Sequence, residues 1–273
     1  MKSKRILFLS WILIACVLIS SALLASCNDS AVVAPQESEE VTTLPETTEA
    51  VPAETENPFE GPKNVMIFGD SYSTFAGYIP DGYASWYKTG GREGTDVRRV
   101  TETWWYPLFD EMDYELVVND SYSGSTLGYT GYNGEDCSNT KSFIARLERY
   151  KAENFFEKND IDIIFVFGCT NDSWANAPLG EFKLEGIEKS DLYNVLPAIP
   201  YFIGELRDAA PDAQIVFIIN TNELKPEIVE AIKKTSNHFG TKYVDLTRVE
   251  KRSRHPTVKG MESIRAQVKK VLK

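Results

Sequence analysis

Residues 161–167 read Ile-Asp-Ile-Ile-Phe-Val-Phe, an almost wholly apolar run closed by Gly168. A strand apolar on both faces must be covered on both faces, the condition of a central strand in a parallel sheet. Four other short runs share this character, at 63–68, 115–119, 214–220 and 242–245. Helical periodicity fills the spaces between them at 142–157, 191–210 and 225–239. A last helix at 257–272 sets Val258, Met261, Ile264, Val268 and Leu272 on one face. Strands alternating with helices predict an α/β domain built on a five-stranded parallel sheet wound on both sides. The roughly 210 residues from Gly61 onward suffice for one such domain. Two segments break the alternation, a Gly-, Tyr- and Trp-rich stretch at 72–106 and a Gly-, Asn- and Tyr-rich one at 126–140. Loops of that length in a compact domain tend to carry function, and these are expected to wall a site.

Three strands end in residues with chemical potential. The first runs into Gly69-Asp70-Ser71, the second into Ser123-Gly124, and the third into Gly168-Cys169-Thr170-Asn171-Asp172. In an open α/β sheet the loops at the carboxyl ends of the strands meet in one crevice. Ser71 needs a base to become a nucleophile, and the G-x-S-x-G elbow is absent, since Ser73 stands where its second glycine would be. Alone, Gly-Asp-Ser reads equally as a turn or helix cap. The chain has two histidines. His238 falls at the end of a helix, where the dipole favours it on the surface. His255 precedes Pro256 in a loop, which leaves it as the candidate general base. The Gly124 backbone N–H and the Asn171 side-chain amide are candidate donors to a developing oxyanion, although either alone reads better as turn chemistry.

Together these blocks resemble the SGNH, or GDSL, hydrolases. The nucleophile block corresponds to Gly69-Asp70-Ser71, the glycine block to Gly124, the Gly-x-x-Asn-Asp block to 168–172, and the His-Pro block to His255-Pro256. The resemblance implies a flavodoxin-like three-layer sandwich and ester hydrolysis. Ser71 would be the nucleophile and His255 the base. The Ser71 and Gly124 N–H groups and the Asn171 amide would form the oxyanion hole. One position departs from the pattern: three residues before the histidine, where the family usually carries Asp, stands Arg252. Loss of that orienting acid costs about 10⁴ in rate when nothing replaces it. Glu250, Asp245 or a backbone carbonyl are the open replacements. An unperturbed His255 would titrate near 6.5, and activity would fall below that pH.

The N-terminus is organised differently. Lys2, Lys4 and Arg5 precede an apolar run from 6 to 24, followed by Ala25-Ser26-Cys27. This resembles the lipobox of bacterial lipoproteins, which implies a signal peptide at 1–26 and lipidation of Cys27; an uncleaved membrane anchor is the other reading. Residues 28–60 hold nine acidic and no basic residues with four prolines, and read as a disordered tether. Such a tether would hold the domain at 61–273 about 30 Å from its anchor on average. Either N-terminal reading places the domain outside the cytoplasm, on a membrane.

Of the net charge of −11, most lies in that tether, and the mildly acidic remainder argues against a nucleic-acid surface. Two distant histidines and no Cys-x-x-Cys offer no metal-ligand cluster, and no cofactor is expected. Cys137 and Cys169 are either one disulfide or two buried thiols. Nine aromatic residues, among them Trp86, Trp104, Trp105, Tyr132 and Trp174, concentrate in the loop segments. Most are expected to anchor those loops, with Trp174 lining the pocket. The expected substrate is an acylated, chiefly O-acetylated, carbohydrate. A lipase- or thioesterase-type acyl hydrolase and a catalytically degenerate glycan-binding lipoprotein are the alternatives.

Overall fold

The computed structural model describes residues 61–272; the signal peptide expected at 1–26, Cys27 and the acidic segment to residue 60 lie outside the described residues. Five parallel strands form the sheet: β1 (Lys63–Gly69), β2 (Tyr114–Ser121), β3 (Ile163–Phe167), β4 (Gln214–Ile219) and β5 (Lys242–Asp245), in the order β2-β1-β3-β4-β5. This is the flavodoxin-like order, in which the chain turns back beside its first strand and opens a crevice there.

The period of two in each strand sorts side chains to two cores. Met66, Phe68, Ile164, Val166, Ile215 and Phe217 face one side. There they pack against α2 (Phe143–Ala152), α5 (Val195–Ala209) and α6 (Pro226–Phe239). Val65, Ile67, Phe165, Phe167, Val216 and Ile218 face the other. That side is covered by α1 (Tyr106–Met112) and by Met261, Ile264 and Val268 of α7 (Val258–Leu272), the stripe read from the sequence.

Three local features differ from the sequence reading. The helix expected at 142–157 is interrupted: Asn154 adopts a left-handed backbone (φ 52°), and a short α3 (Phe155–Lys158) follows. The first turn of the helix expected from 191 is instead 3-10 helix, Lys189–Tyr193, ahead of α5. The long aromatic segment ends in α1, which buries Leu108 and Phe109. Trp104 and Trp105 are also buried, as are Tyr87 and Tyr129, so these aromatics do anchor the loops. Cys137 and Cys169 are buried free thiols.

Candidate active site

Sheet register brings the first three blocks to one level. Gly69 pairs with Ser121 on one side and with Phe167 on the other. The chain leaves all three strands at the same edge, and the Asp70 N–H still donates to the Phe167 carbonyl at 3.2 Å. Only glycine fits at 69, because a Cβ there would lie 2.2 Å from Ser121 Oγ. Asp70 folds the turn back: its Oδ1 accepts the Tyr72 N–H at 2.9 Å. Burial pushes this carboxyl up to about 7, against the pull of that hydrogen bond.

Ser71 and His255 lie 184 residues apart and meet. His255 Nε2 stands 2.9 Å from Ser71 Oγ, and both residues are nearly buried. A short antiparallel hairpin carries the histidine, β6 (Lys251–Arg252) and β7 (His255–Pro256). Its two turn residues, Ser253 (φ 48°) and Arg254 (φ 65°), are both left-handed. This backbone matches strand twist but is strained for residues with a Cβ. Tyrosines from the 72–106 loop hold the hairpin on both sides of the histidine. Tyr72 Oη donates to the Arg254 carbonyl at 2.5 Å, and Tyr87 Oη donates to the Pro256 carbonyl at 2.9 Å.

The turn also answers the missing acid. His255 Nδ1 donates to the Ser253 carbonyl at 3.0 Å. This fixes the tautomer with Nε2 as acceptor for the Ser71 proton. Neither carboxylate offered by the sequence fills that role. Asp245 is engaged by Thr221 and Lys233. Glu250 accepts from Thr257 Oγ1 at 2.9 Å and lies 3.7 Å from Lys259. Arg252, at the family's acid position, is exposed. Burial lowers the imidazole to about 4, helped by the charges of Arg92 and Lys251 and opposed by the Ser253 carbonyl and Glu223. The ring is therefore a neutral base at neutral pH, with a pKa well below the 6.5 of an unperturbed histidine.

The oxyanion donors are set by a second network. Asn171 lies in the short α4 (Thr170–Trp174), just after Cys169, itself left-handed at φ 66°. Its Nδ2 donates to the Ser125 carbonyl at 2.9 Å, and its Oδ1 accepts from Tyr132 Oη at 2.8 Å. An amide has two N–H donors, so one remains for an incoming oxygen. Gly124, beside Ser125, takes φ +85°, a backbone conformation natural to glycine. Among the described residues neither the Ser71 nor the Gly124 N–H has a protein acceptor. Asp172 ties the same loop to α4 by accepting the N–H groups of Leu127 and Gly128, its carboxyl raised by burial to about 6.

Beneath the site lies Arg146, wholly buried in α2 and ion-paired with Asp120. It also donates to the carbonyls of Gly69 at 3.2 Å and Lys141 at 3.2 Å, and to Ser125 Oγ at 3.4 Å. It thus joins the ends of β1 and β2 to the oxyanion loop. The one signal of it in the sequence is an arginine on the apolar stripe of Phe143, Ile144 and Leu147. Trp174 borders the site as expected, 5.9 Å from the imidazole, its Nε1 donating to Glu223 at 3.0 Å. Closer still is Trp86, stacked on His255 at 3.6 Å with an 8° interplanar angle. Neither that stack nor the Tyr132–Asn171 bond is marked in the sequence beyond the aromatic richness of the loops. His238 is exposed in the last turn of α6, as its position suggested.

A buried serine–histidine pair at the switch point of a 2-1-3-4-5 sheet, with amide donors at the next strand ends, defines an acyl-transfer hydrolase. The family model described as GDSL-like Lipase/Acylhydrolase matches residues 63–272, and the chain belongs to that family. It is a hydrolase of the SGNH type. The chain is similar to a solved structure named as a GDSL-like lipase from Bacteroides ovatus, with 42% identity and a TM-score of 0.71, covering 78% of this chain and 99% of that one. A second so named, from Bacteroides uniformis, shows 41% identity and a TM-score of 0.71 over 77% and 95% of the two chains. An acetyl xylan esterase from the rumen bacterium Butyrivibrio proteoclasticus shares the fold at 18% identity and a TM-score of 0.51, over 80% of this chain and 64% of that one. No curated protein matches the sequence.

Proposed function

We propose that this hydrolase removes O-acetyl groups from carbohydrate outside the cytoplasm, tethered to a membrane through lipidated Cys27. The observation that carries the chemistry is the 2.9 Å contact from His255 Nε2 to Ser71 Oγ, with Nδ1 held by the Ser253 carbonyl. In this mechanism Ser71 Oγ attacks the ester carbonyl while its proton passes to His255 Nε2. The negative oxygen of the tetrahedral intermediate is received by the Ser71 and Gly124 N–H groups and the free N–H of Asn171. Collapse breaks the ester C–O bond, and His255 returns the proton to the departing sugar hydroxyl. Water, deprotonated by the same nitrogen, then attacks the acetyl-serine, and as the acyl C–Oγ bond breaks His255 returns that proton to Ser71 Oγ and acetate leaves. The imidazolium formed in each half is stabilised by a carbonyl dipole in place of a carboxylate charge.

Support for the carbohydrate comes from the aromatic and polar walls of the site and from the export signal read at the N-terminus. The acetyl xylan esterase of like fold fits the same picture. The test is acetate release by the full-length protein from a panel of acetylated glycans, with Ser71→Ala as control. Release that the substitution abolishes is the expected result. Hydrolysis confined to long-chain acyl esters would favour a lipase-type activity. No hydrolysis of any ester, p-nitrophenyl acetate included, would leave a glycan-binding protein.

A further inference from the structure

The mouth of the site carries two arginines. Arg92 stands with its guanidinium 4.2 Å from the Trp86 ring, the indole that stacks on His255. Arg254, one residue before the histidine, lies 5.4 Å from the ring of Trp174, itself 5.9 Å from the imidazole. Both arginines are exposed, and among the described residues neither enters an ion pair. The nearby Lys251, by contrast, is neutralised by Glu223 at 2.9 Å. The loop that presents Arg92 packs on the hairpin that presents Arg254, since a Cβ on Gly94 would meet Ser253 Oγ at 2.9 Å. Asp96 of that loop is in turn bound by the Val258 N–H at 2.9 Å.

Among the described residues Arg98, Arg248 and Arg252 are exposed without an ion pair as well. What sets Arg92 and Arg254 apart is that each lies against an aromatic ring that itself lies against the imidazole. With an imidazole and a guanidinium both against it, the Trp86 indole has little free face on which a neutral sugar ring could stack. What this wall offers a substrate is the N–H edge of a guanidinium. A guanidinium resting on an aromatic ring is already oriented, so it loses little freedom on forming the paired hydrogen bonds that fit a carboxylate.

We propose that Arg92 and Arg254 are a two-armed clamp for a carboxylate on the substrate, and that the esters cleaved are carried by an acidic, uronate-type glycan. This inference rests on the carbohydrate esterase reading and narrows it. The test compares kcat/KM of the full-length enzyme on an O-acetylated methyl glucuronoside, its carboxyl methyl ester and the matching 6-sulfated glucoside. Assays run at low and high salt, and p-nitrophenyl acetate normalises the catalytic competence of each variant. The uronate is expected to exceed its methyl ester by about tenfold, mostly in KM, with the advantage shrinking in high salt. In the Arg92→Gln/Arg254→Gln double variant the ratio falls to about one.

Equal efficiency on uronate and methyl ester, or a ratio that survives the double substitution, overturns the clamp and leaves the carbohydrate esterase standing. Preference for the sulfated sugar alone overturns the carboxylate assignment. Hydrolysis of p-nitrophenyl acetate with none of the sugars overturns the carbohydrate reading and the clamp together.

Discussion

Replacing Glu250 or Asp245 by alanine separates a carbonyl-oriented histidine from a carboxylate-oriented one. If either acid held Nδ1, its loss would cost about 10⁴ in kcat/KM, or roughly 5.5 kcal/mol of transition-state stabilisation. The structure assigns them different work. Glu250 accepts one hydrogen bond from Thr257, whose Oγ1 also receives the Gly260 N–H at 3.1 Å at the start of α7. Its removal is expected to cost about 1 kcal/mol of stability, the usual net worth of one such bond, and leave the rate alone. Asp245 joins Lys233 and Thr221 at the end of β5. That partly exposed pair is worth about 0–1 kcal/mol. Both variants should therefore keep kcat/KM on p-nitrophenyl acetate within about threefold of the parent, with a slightly lowered melting temperature. The positive counterpart is Ser253→Val. A β-branched residue resists the φ of 48° at this position, at a cost of about 1–2 kcal/mol, so the carbonyl should shift and kcat fall about tenfold. A loss of 10³ or more in either acid variant, at unchanged melting temperature, would refute the assignment of the Ser253 carbonyl.

Because the base must be neutral and His255 is lowered to about 4, kcat/KM should stay level as pH falls from neutrality and drop through about 4; an inflection near 6.5 in the pH–rate profile would contradict this. Asn171→Ala should lower kcat by about 10²–10³ with KM little changed. Tyr132→Phe, which loses only the bond to Asn171 Oδ1, should cost about fivefold, both read by steady-state kinetics. Arg146→Met leaves Asp120 buried without its partner, a change of about 3–5 kcal/mol. Thermal denaturation should then show a melting temperature lower by about 10 °C.

Five strands, the helices covering them and the serine, histidine, glycine and asparagine blocks were legible because each is a local pattern. An apolar run such as 161–167 or a stripe such as Met261, Ile264 and Val268 states its own burial wherever it lies. The sequence by itself thus determined the sheet, its parallel winding and the residue types gathered at its carboxyl edge. The left-handed break at Asn154 was not legible, since a single αL residue inside a helical pattern leaves the periodicity almost intact. The tertiary structure alone decided what replaces the acid. The acceptor is the carbonyl of Ser253, a group every residue has, and it is aimed by two left-handed turn residues that carry no glycine to announce them. It also decided that Trp86, not Trp174, stacks on the imidazole, and that Arg146 ties Gly69 to Ser125. The Trp86 and Arg146 contacts span from 21 to 169 residues of chain. They exist because three parallel strands end in register and the hairpin folds back over them, an arrangement of distances in space that no local pattern records.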